Sequence, residues 1–425
     1  AKDSSGHFYE AEYKGQSGVE KVYGDLLSGT NGLKITETDA LGKVVSESVI
    51  EKPQDGRDLT LSIDSRLNVE LYKAIADIAH TRGFSGGAGV IMDVETGEIL
   101  ALTSYPEYNQ NVVTEGVDRK AISELFNSKD QPFLDRATSG LYTPGSIVKP
   151  IMGLAALNEG VIDANKKILS TGALTIPNPY DKTKPSIFRD WKAHGWVNLK
   201  DALAMSSDVY FYEVGGGFEG QKGIGISAID KYYELFGMTE KTGIDLPGES
   251  AGVIPSPEWK KENFNGEPWR LGDTYITSIG QYGTQVTALE AVRWVGAIAN
   301  GGKLLIPSVV YGGKPENERV FRTIDLPAQT WQTVREGMRQ GVTSGIVTAL
   351  SHPAVAFAAK TGTAELGVTK QLVNSWSTGF WPYEKPHYAF AVLMEKGDRD
   401  NIVGATYAMQ EVENWMILNA PEYLK

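Results

Sequence analysis

After Ser146, Ile147, Val148, Lys149 and Pro150 the chain runs Ile151-Met152-Gly153-Leu154-Ala155-Ala156-Leu157, a helical stretch that is apolar almost all round. A helix without a polar face belongs inside a domain core, enclosed on every side. The same stretch sets a hydroxyl and an amine at the foot of that buried helix. Thr143-Pro144-Gly145 marks a helix start, and the i, i+3 spacing brings Lys149 beside Ser146. Free N–H groups and the helix dipole favour developing negative charge there. Partial desolvation lowers the proton affinity of a lysine, so that it can act as a neutral base for a serine nucleophile. An N-cap serine with a snorkelling lysine fits the same residues, and the spacing alone does not separate the two readings.

A core of that kind needs a large domain, and 425 residues allow one with a smaller attachment. The balance of 53 acidic against 41 basic side chains, a net charge of -12, repels phosphate backbones, so nucleic acid is not an expected partner. The absence of cysteine excludes a disulfide, a thiolate nucleophile and Cys-ligated zinc. Apolar runs such as Ala88 to Met92 and Ala389 to Met394 are far too short to cross a bilayer. The start, Ala1-Lys2-Asp3-Ser4-Ser5-Gly6, has neither an initiator Met nor a signal-peptide pattern, which suggests a trimmed or processed chain.

Residues 1 to about 55 are polar and turn-rich and read as an extended attachment; residues 56–425 read as the main domain. Leu59 to Ile63 alternates like a strand, Leu67 to Ile78 has helical spacing, and Gly87 to Val94 with Glu98 to Thr103 predicts a hairpin turned by Glu95-Thr96-Gly97. Val355 to Ala359, Ser375 to Trp381 and Tyr388 to Leu393 read as three further strands, and mostly helical pattern lies between the two groups. Strands from both chain ends with helices between them imply an α+β fold: one mainly antiparallel sheet, closed by the C-terminal segment and covered by helices.

Two further elements accompany Ser146-Ile147-Val148-Lys149. Ser206-Ser207-Asp208 falls between the helical Leu199 to Met205 and the aromatic run Val209-Tyr210-Phe211-Tyr212. Lys360-Thr361-Gly362-Thr363 follows the strand Val355 to Ala359 and offers a cation and two hydroxyls at a sheet edge, a cradle for a carboxylate. A second copy, Lys241-Thr242-Gly243, runs into Leu246-Pro247-Gly248 and reads as a structural loop. The five histidines, His7, His80, His194, His352 and His387, stand in no triad-like context. Gly83-Phe84-Ser85-Gly86-Gly87 fits an esterase elbow, but it follows a helix and precedes a strand, the reverse of what that turn requires.

The order S-x-x-K, S-x-D, K-T-G is similar to the signature of the penicillin-recognising serine enzymes. Further residues resemble the class B penicillin-binding proteins, the peptidoglycan D,D-transpeptidases: Gly15 to Glu20 with Tyr23, Tyr142 to Ser146, Gly243 to Glu249, and Gly280-Gln281-Tyr282 with Thr287-Ala288-Leu289. Phe188-Arg189-Asp190-Trp191, and Asp208 in place of the more frequent Asn, resemble the elongation-type subgroup. The resemblance implies a penicillin-binding/β-lactamase-like transpeptidase domain on a small N-terminal pedestal.

It also implies roles. Ser146 attacks the D-Ala-D-Ala carbonyl, Lys149 takes its proton, Ser206 relays a proton to the leaving amine and Asp208 orients the loop. Lys360, Thr361, Gly362 and Thr363 hold the substrate or drug carboxylate, with the Ser146 and Thr363 N–H groups as oxyanion hole. Some members carry a metal site near the Asp190 loop that includes a cysteine; this chain has none, so no metal and no cofactor are expected, although Asp190 and His194 remain. The implied partners are stem peptides, β-lactam antibiotics, a membrane glycosyltransferase of the shape, elongation and division type, and the inner membrane through an N-terminal anchor absent from this chain, with the catalytic domain in the periplasm. A serine β-lactamase or a β-lactam sensor domain would share the three motifs.

Overall fold

A strand with apolar side chains on both faces must be covered on both, and that requirement governs the architecture. The computed structural model describes residues 14–178, 181 and 183–425. Near its start β1 (Leu33–Thr38) and β2 (Val44–Glu51) pair as an antiparallel ribbon exposed along almost its whole length. Helix α1 (Ser65–Arg82) is capped by the Asp64 carboxylate and closed by the left-handed Gly83. Strands β3 (Gly86–Asp93) and β4 (Ile99–Tyr105) form the hairpin expected from the sequence, its turn held by Asp93 Oδ1, which accepts from the Glu95 and Thr96 N–H groups at 2.8 Å.

A 3-10 turn (Gly145–Val148) leads into α2 (Lys149–Asn158), followed by the short strands β5 (Ile168–Ser170), β6 (Ala173–Ile176), β7 (Ser186–Arg189) and β8 (Gly195–Val197), which pair β5 with β8 and β6 with β7. Helices α3 (Leu199–Met205) and α4 (Asp208–Gly216) come next, then α5 (Ala288–Asn300) and α6 (Ala328–Thr343). The chain ends with β9 (Ala358–Leu366), β10 (Leu372–Trp381), β11 (Tyr388–Asp398) and α7 (Ala405–Asn419).

These last strands join the first hairpin in one five-stranded antiparallel sheet, ordered β9-β10-β11-β3-β4. The pleat sorts the apolar residues of β11 by parity. Ala389, Ala391 and Leu393 join the core built around α2 and α5, while Phe390, Val392 and Met394 join the core under α1 and α7. Each large side chain buried this way contributes roughly 1.5–3 kcal/mol. Helix α5 is buried from Ala288 to Ala299, and α2 from Lys149 to Ala156, as its apolar circumference requires.

Three local expectations are corrected. Leu59 to Ile63 is not a strand: it makes a single bridge, Leu61 to Val310, with Ser62 turned inward to bond the Ile99 carbonyl at 2.7 Å, because the facing segment around Ser308 to Tyr311 is irregular. Lys360 to Thr363 does not follow a strand but lies within β9, the edge strand of the sheet. Ser146 sits in a 3-10 turn rather than at the N-terminus of the α-helix. Pro150 has no N–H to give the Ser146 carbonyl, so the α-helix starts at Lys149, whose own N–H bonds that carbonyl.

Candidate active site

The turn carrying Ser146 is pressed against β9. A Cβ on Gly362 would lie 2.6 Å from the Pro144 carbonyl oxygen and 2.9 Å from Ile147, so only glycine admits this approach. Gly145 has φ +58, the left-handed region, and its N–H donates to the Gly280 carbonyl at 2.9 Å. The indole N–H of Trp376 on β10 bonds the Thr143 carbonyl at 3.0 Å. Strand, turn and the Gly280-Gln281 segment are thereby joined, and the Gln281 amide reaches the Thr363 carbonyl at 3.5 Å. Ser146 is half-buried at this junction.

Behind Ser146 lies a buried polar chain. Lys149 is fully buried, and its amine donates to Ser206 O (2.8 Å), Ser206 Oγ (3.3 Å) and Asp208 Oδ1 (2.6 Å). Three bonds use all the hydrogens of an ammonium. Lys360 reaches the same hydroxyl from the opposite side, with its amine 2.8 Å from Ser206 Oγ and 2.8 Å from the Thr361 carbonyl. Ser206 Oγ thus bridges two lysines.

Burial first, then the nearby Lys149 charge, holds Lys360 well below the ordinary lysine range, against the pull of Asp208. Burial pushes the Asp208 carboxyl up, opposed most by Lys149. Two amines and one carboxylate share this enclosure, and the geometry pairs Lys149 with Asp208, leaving Lys360 as the amine that burial drives towards its neutral form.

The structure therefore brings Ser206, Asp208 and Lys360 onto Lys149, and sets Thr361, Gly362 and Thr363 along the strand beside the Ser146 turn. The other Lys-Thr-Gly is a loop, its Thr242 and Gly243 N–H groups bound to the Glu249 carboxylate. Sequence reasoning singled out Asp190 as a subgroup marker and as a remnant, with His194, of a metal site, but gave it no role beside the catalytic residues. Its buried carboxylate accepts from Ser170, Ser207, Val209 and Trp191, and His194 Nε2 is 3.4 Å away. Those protein donors occupy both oxygens, and among the described residues no group of three His, Asp or Glu could hold a metal ion, so Asp190 and His194 do not fit a metal-ligand set.

These features define a serine-lysine site at the edge of an antiparallel sheet packed between helical layers. The chain belongs to the penicillin-binding protein transpeptidase family: residues 87–412 match the penicillin binding protein transpeptidase domain, and residues 1–61 the penicillin-binding protein dimerisation domain. It is similar to the peptidoglycan D,D-transpeptidase MrdA of Acinetobacter baumannii, 34% identical over 95% of this chain and 60% of that protein. MrdA of Escherichia coli is 30% identical over 92% of this chain and 63% of its own length. The chain thus spans about 60% of these curated relatives.

Among solved structures, PBP2 of Helicobacter pylori in complex with MreC is 33% identical with a TM-score of 0.78, over 95% of this chain and 72% of that one. Pseudomonas aeruginosa PBP2 in complex with WCK 5153 is 31% identical with a TM-score of 0.79, over 97% and 83%. The mainly antiparallel transpeptidase fold expected from the motif order is the fold these relatives share.

Proposed function

We propose that this protein is a peptidoglycan D,D-transpeptidase of the elongation type, forming an acyl-enzyme on Ser146. The observation that carries the reading is the convergence of three separate motifs on one hydroxyl, Ser206 Oγ, bonded by both Lys149 and Lys360. Lys149, paired with Asp208, hands one ammonium proton through Ser206 to Lys360, whose burial favours the neutral form. The amine so freed takes the Ser146 hydroxyl proton as Oγ attacks the penultimate D-Ala carbonyl. The relay returns a proton to the leaving D-Ala amine, and an amine from a neighbouring stem resolves the acyl-enzyme. The Ser146 and Thr363 N–H groups stabilise the oxyanion, a contribution of about 3 kcal/mol. Thr361 and Thr363 hold the substrate carboxylate beside Lys360.

Residues 1–55 serve as pedestal and 56–425 as the catalytic unit, working outside the cytoplasmic membrane beside a membrane glycosyltransferase and tethered by an N-terminal anchor. No helix among the described residues is long and apolar enough to cross a membrane. The relatives named as MrdA and the PBP2–MreC complex support a role in a shape-determining assembly. Intact mass after incubation with a penicillin tests the chemistry. A stable gain of one drug molecule, absent from Ser146→Ala, is the expected result. Drug consumed without an adduct would instead identify a β-lactamase.

A further inference from the structure

We propose that Asp190 and Trp191 form a clamp that positions Ser206, a role resting on the acyl-transfer reading above. Ser206 closes α3 with φ +56 and ψ 40, a left-handed conformation that costs a side-chain-bearing residue about 1–2 kcal/mol. Something must hold it there, because its hydroxyl has to meet two lysines at once.

The restraint comes from the loop between β7 and β8 and acts on both sides of Ser206. On the preceding residue, the Trp191 indole N–H donates to the Met205 carbonyl at 3.2 Å. On the following residue, Ser207 Oγ donates to Asp190 Oδ2 at 2.9 Å, and the Val209 N–H donates to the same oxygen at 3.0 Å. Ser170 Oγ adds a third bond to Oδ2 at 3.2 Å, while the Trp191 N–H at 2.8 Å and His194 Nε2 at 3.4 Å face Oδ1. The loop itself is tied down by the Asp190 N–H to the Gly172 carbonyl (2.9 Å) and the His194 N–H to the Ser170 carbonyl (3.0 Å).

A carboxylate accepts on both oxygens, as donors on both sides require; an asparagine would turn an NH2 towards one set of them. The Asp190 side chain is fully shielded from solvent, so these bonds are made without competition from water. Neither clamp residue bonds Lys149, Lys360 or Ser146, which makes both positioning residues rather than catalytic ones.

The test uses Asp190→Asn and Trp191→Phe; the second keeps an aromatic ring and removes only the indole donor, at a half-exposed position where unfolding is not expected. Rapid-mixing kinetics with a penicillin separate the affinity of the initial complex from the acylation rate constant. The clamp predicts a rate constant lowered at least about tenfold in Asp190→Asn and a few-fold in Trp191→Phe, with affinity, set by Thr361 and Thr363, changed less than twofold. Hydrogen exchange across residues 205–212, measured without drug, should quicken in both variants.

Unchanged exchange overturns the clamp whether or not the protein acylates. Faster exchange with an unchanged rate constant overturns its link to the chemistry, as does equal loss of rate, affinity and thermal stability. A wild-type protein that never acylates overturns the functional reading instead, and exchange alone then decides the clamp.

Discussion

The tripeptide Lys-Thr-Gly occurs twice, and the two copies do opposite things with the same side chains. At Lys241-Thr242-Gly243 the lysine is out in solvent, the threonine is buried, and the backbone is pinned by Glu249 as a loop. At Lys360-Thr361-Gly362 the lysine is buried, and the strand leaves Thr361 half-exposed and Thr363 exposed. What differs is the backbone. An edge strand paired to β10 points Lys360 inward because its residue parity matches Ala358 and Gly362 on the face bearing α2. A tripeptide becomes a site element only when the strand carrying it fixes which side chain faces inward.

The sharpest way to break this contrast is to remove each lysine. Lys360→Met should lower the penicillin acylation rate roughly 10²–10⁴-fold, with Lys241→Met unchanged, both read by stopped-flow kinetics. Next comes pH. Folding lowers the proton affinity of Lys360, so the unfolded chain binds the extra proton between its depressed value and the ordinary lysine range. In that window stability rises with pH and is lost as pH falls. Thermal melts at several pH values should show the wild type losing ground to Lys360→Met as the solution is acidified. Acylation should fall with acidification too, as Lys360 takes up its proton.

Glycine substitutions sharpen the same comparison at smaller cost. Gly362→Ala drives a methyl into the Pro144 carbonyl and Ile147, with an overpacking cost of about 1–3 kcal/mol, and should slow acylation by displacing the Ser146 turn. Gly243→Ala strains a backbone at φ +79 by about 1–2 kcal/mol and should lower the melting temperature alone. The smallest change is Glu249→Gln, which weakens the two loop N–H bonds by about 1 kcal/mol. Chemical denaturation should register it while acylation kinetics stay the same.

Much of this site was readable before any coordinates. The motif order pointed to Ser146, Lys149, Ser206, Asp208 and Lys360, and the latter four share one hydrogen-bonded cluster behind the Ser146 turn. Strand-like runs at both ends of the chain and the all-apolar helix between them conveyed the sheet and its core. What stayed hidden depended on single atoms or on distant partners. The missing N–H of Pro150 changes the Ser146 helix start into a 3-10 turn, although hydrophobic spacing is indifferent to it. The left-handed Ser206 and the Asp190 bonds arise from a loop 16 residues upstream of that serine, which no periodicity links to it. Leu59 to Ile63 alternates correctly, yet its neighbour around Ser308 to Tyr311 is irregular and allows only one bridge.

The last strand in sequence, β11, is the middle strand in space, with β10 on one side and β3 on the other. While the chain is being made, the β3–β4 hairpin must therefore wait for a partner nearly 300 residues downstream, and until then β9 and β10 have only each other in the sheet. A polypeptide broken off before Tyr388 holds two pieces of a sheet and not the strand that joins them. Continuity of the sheet is thus supplied last, by the final strand of the sequence.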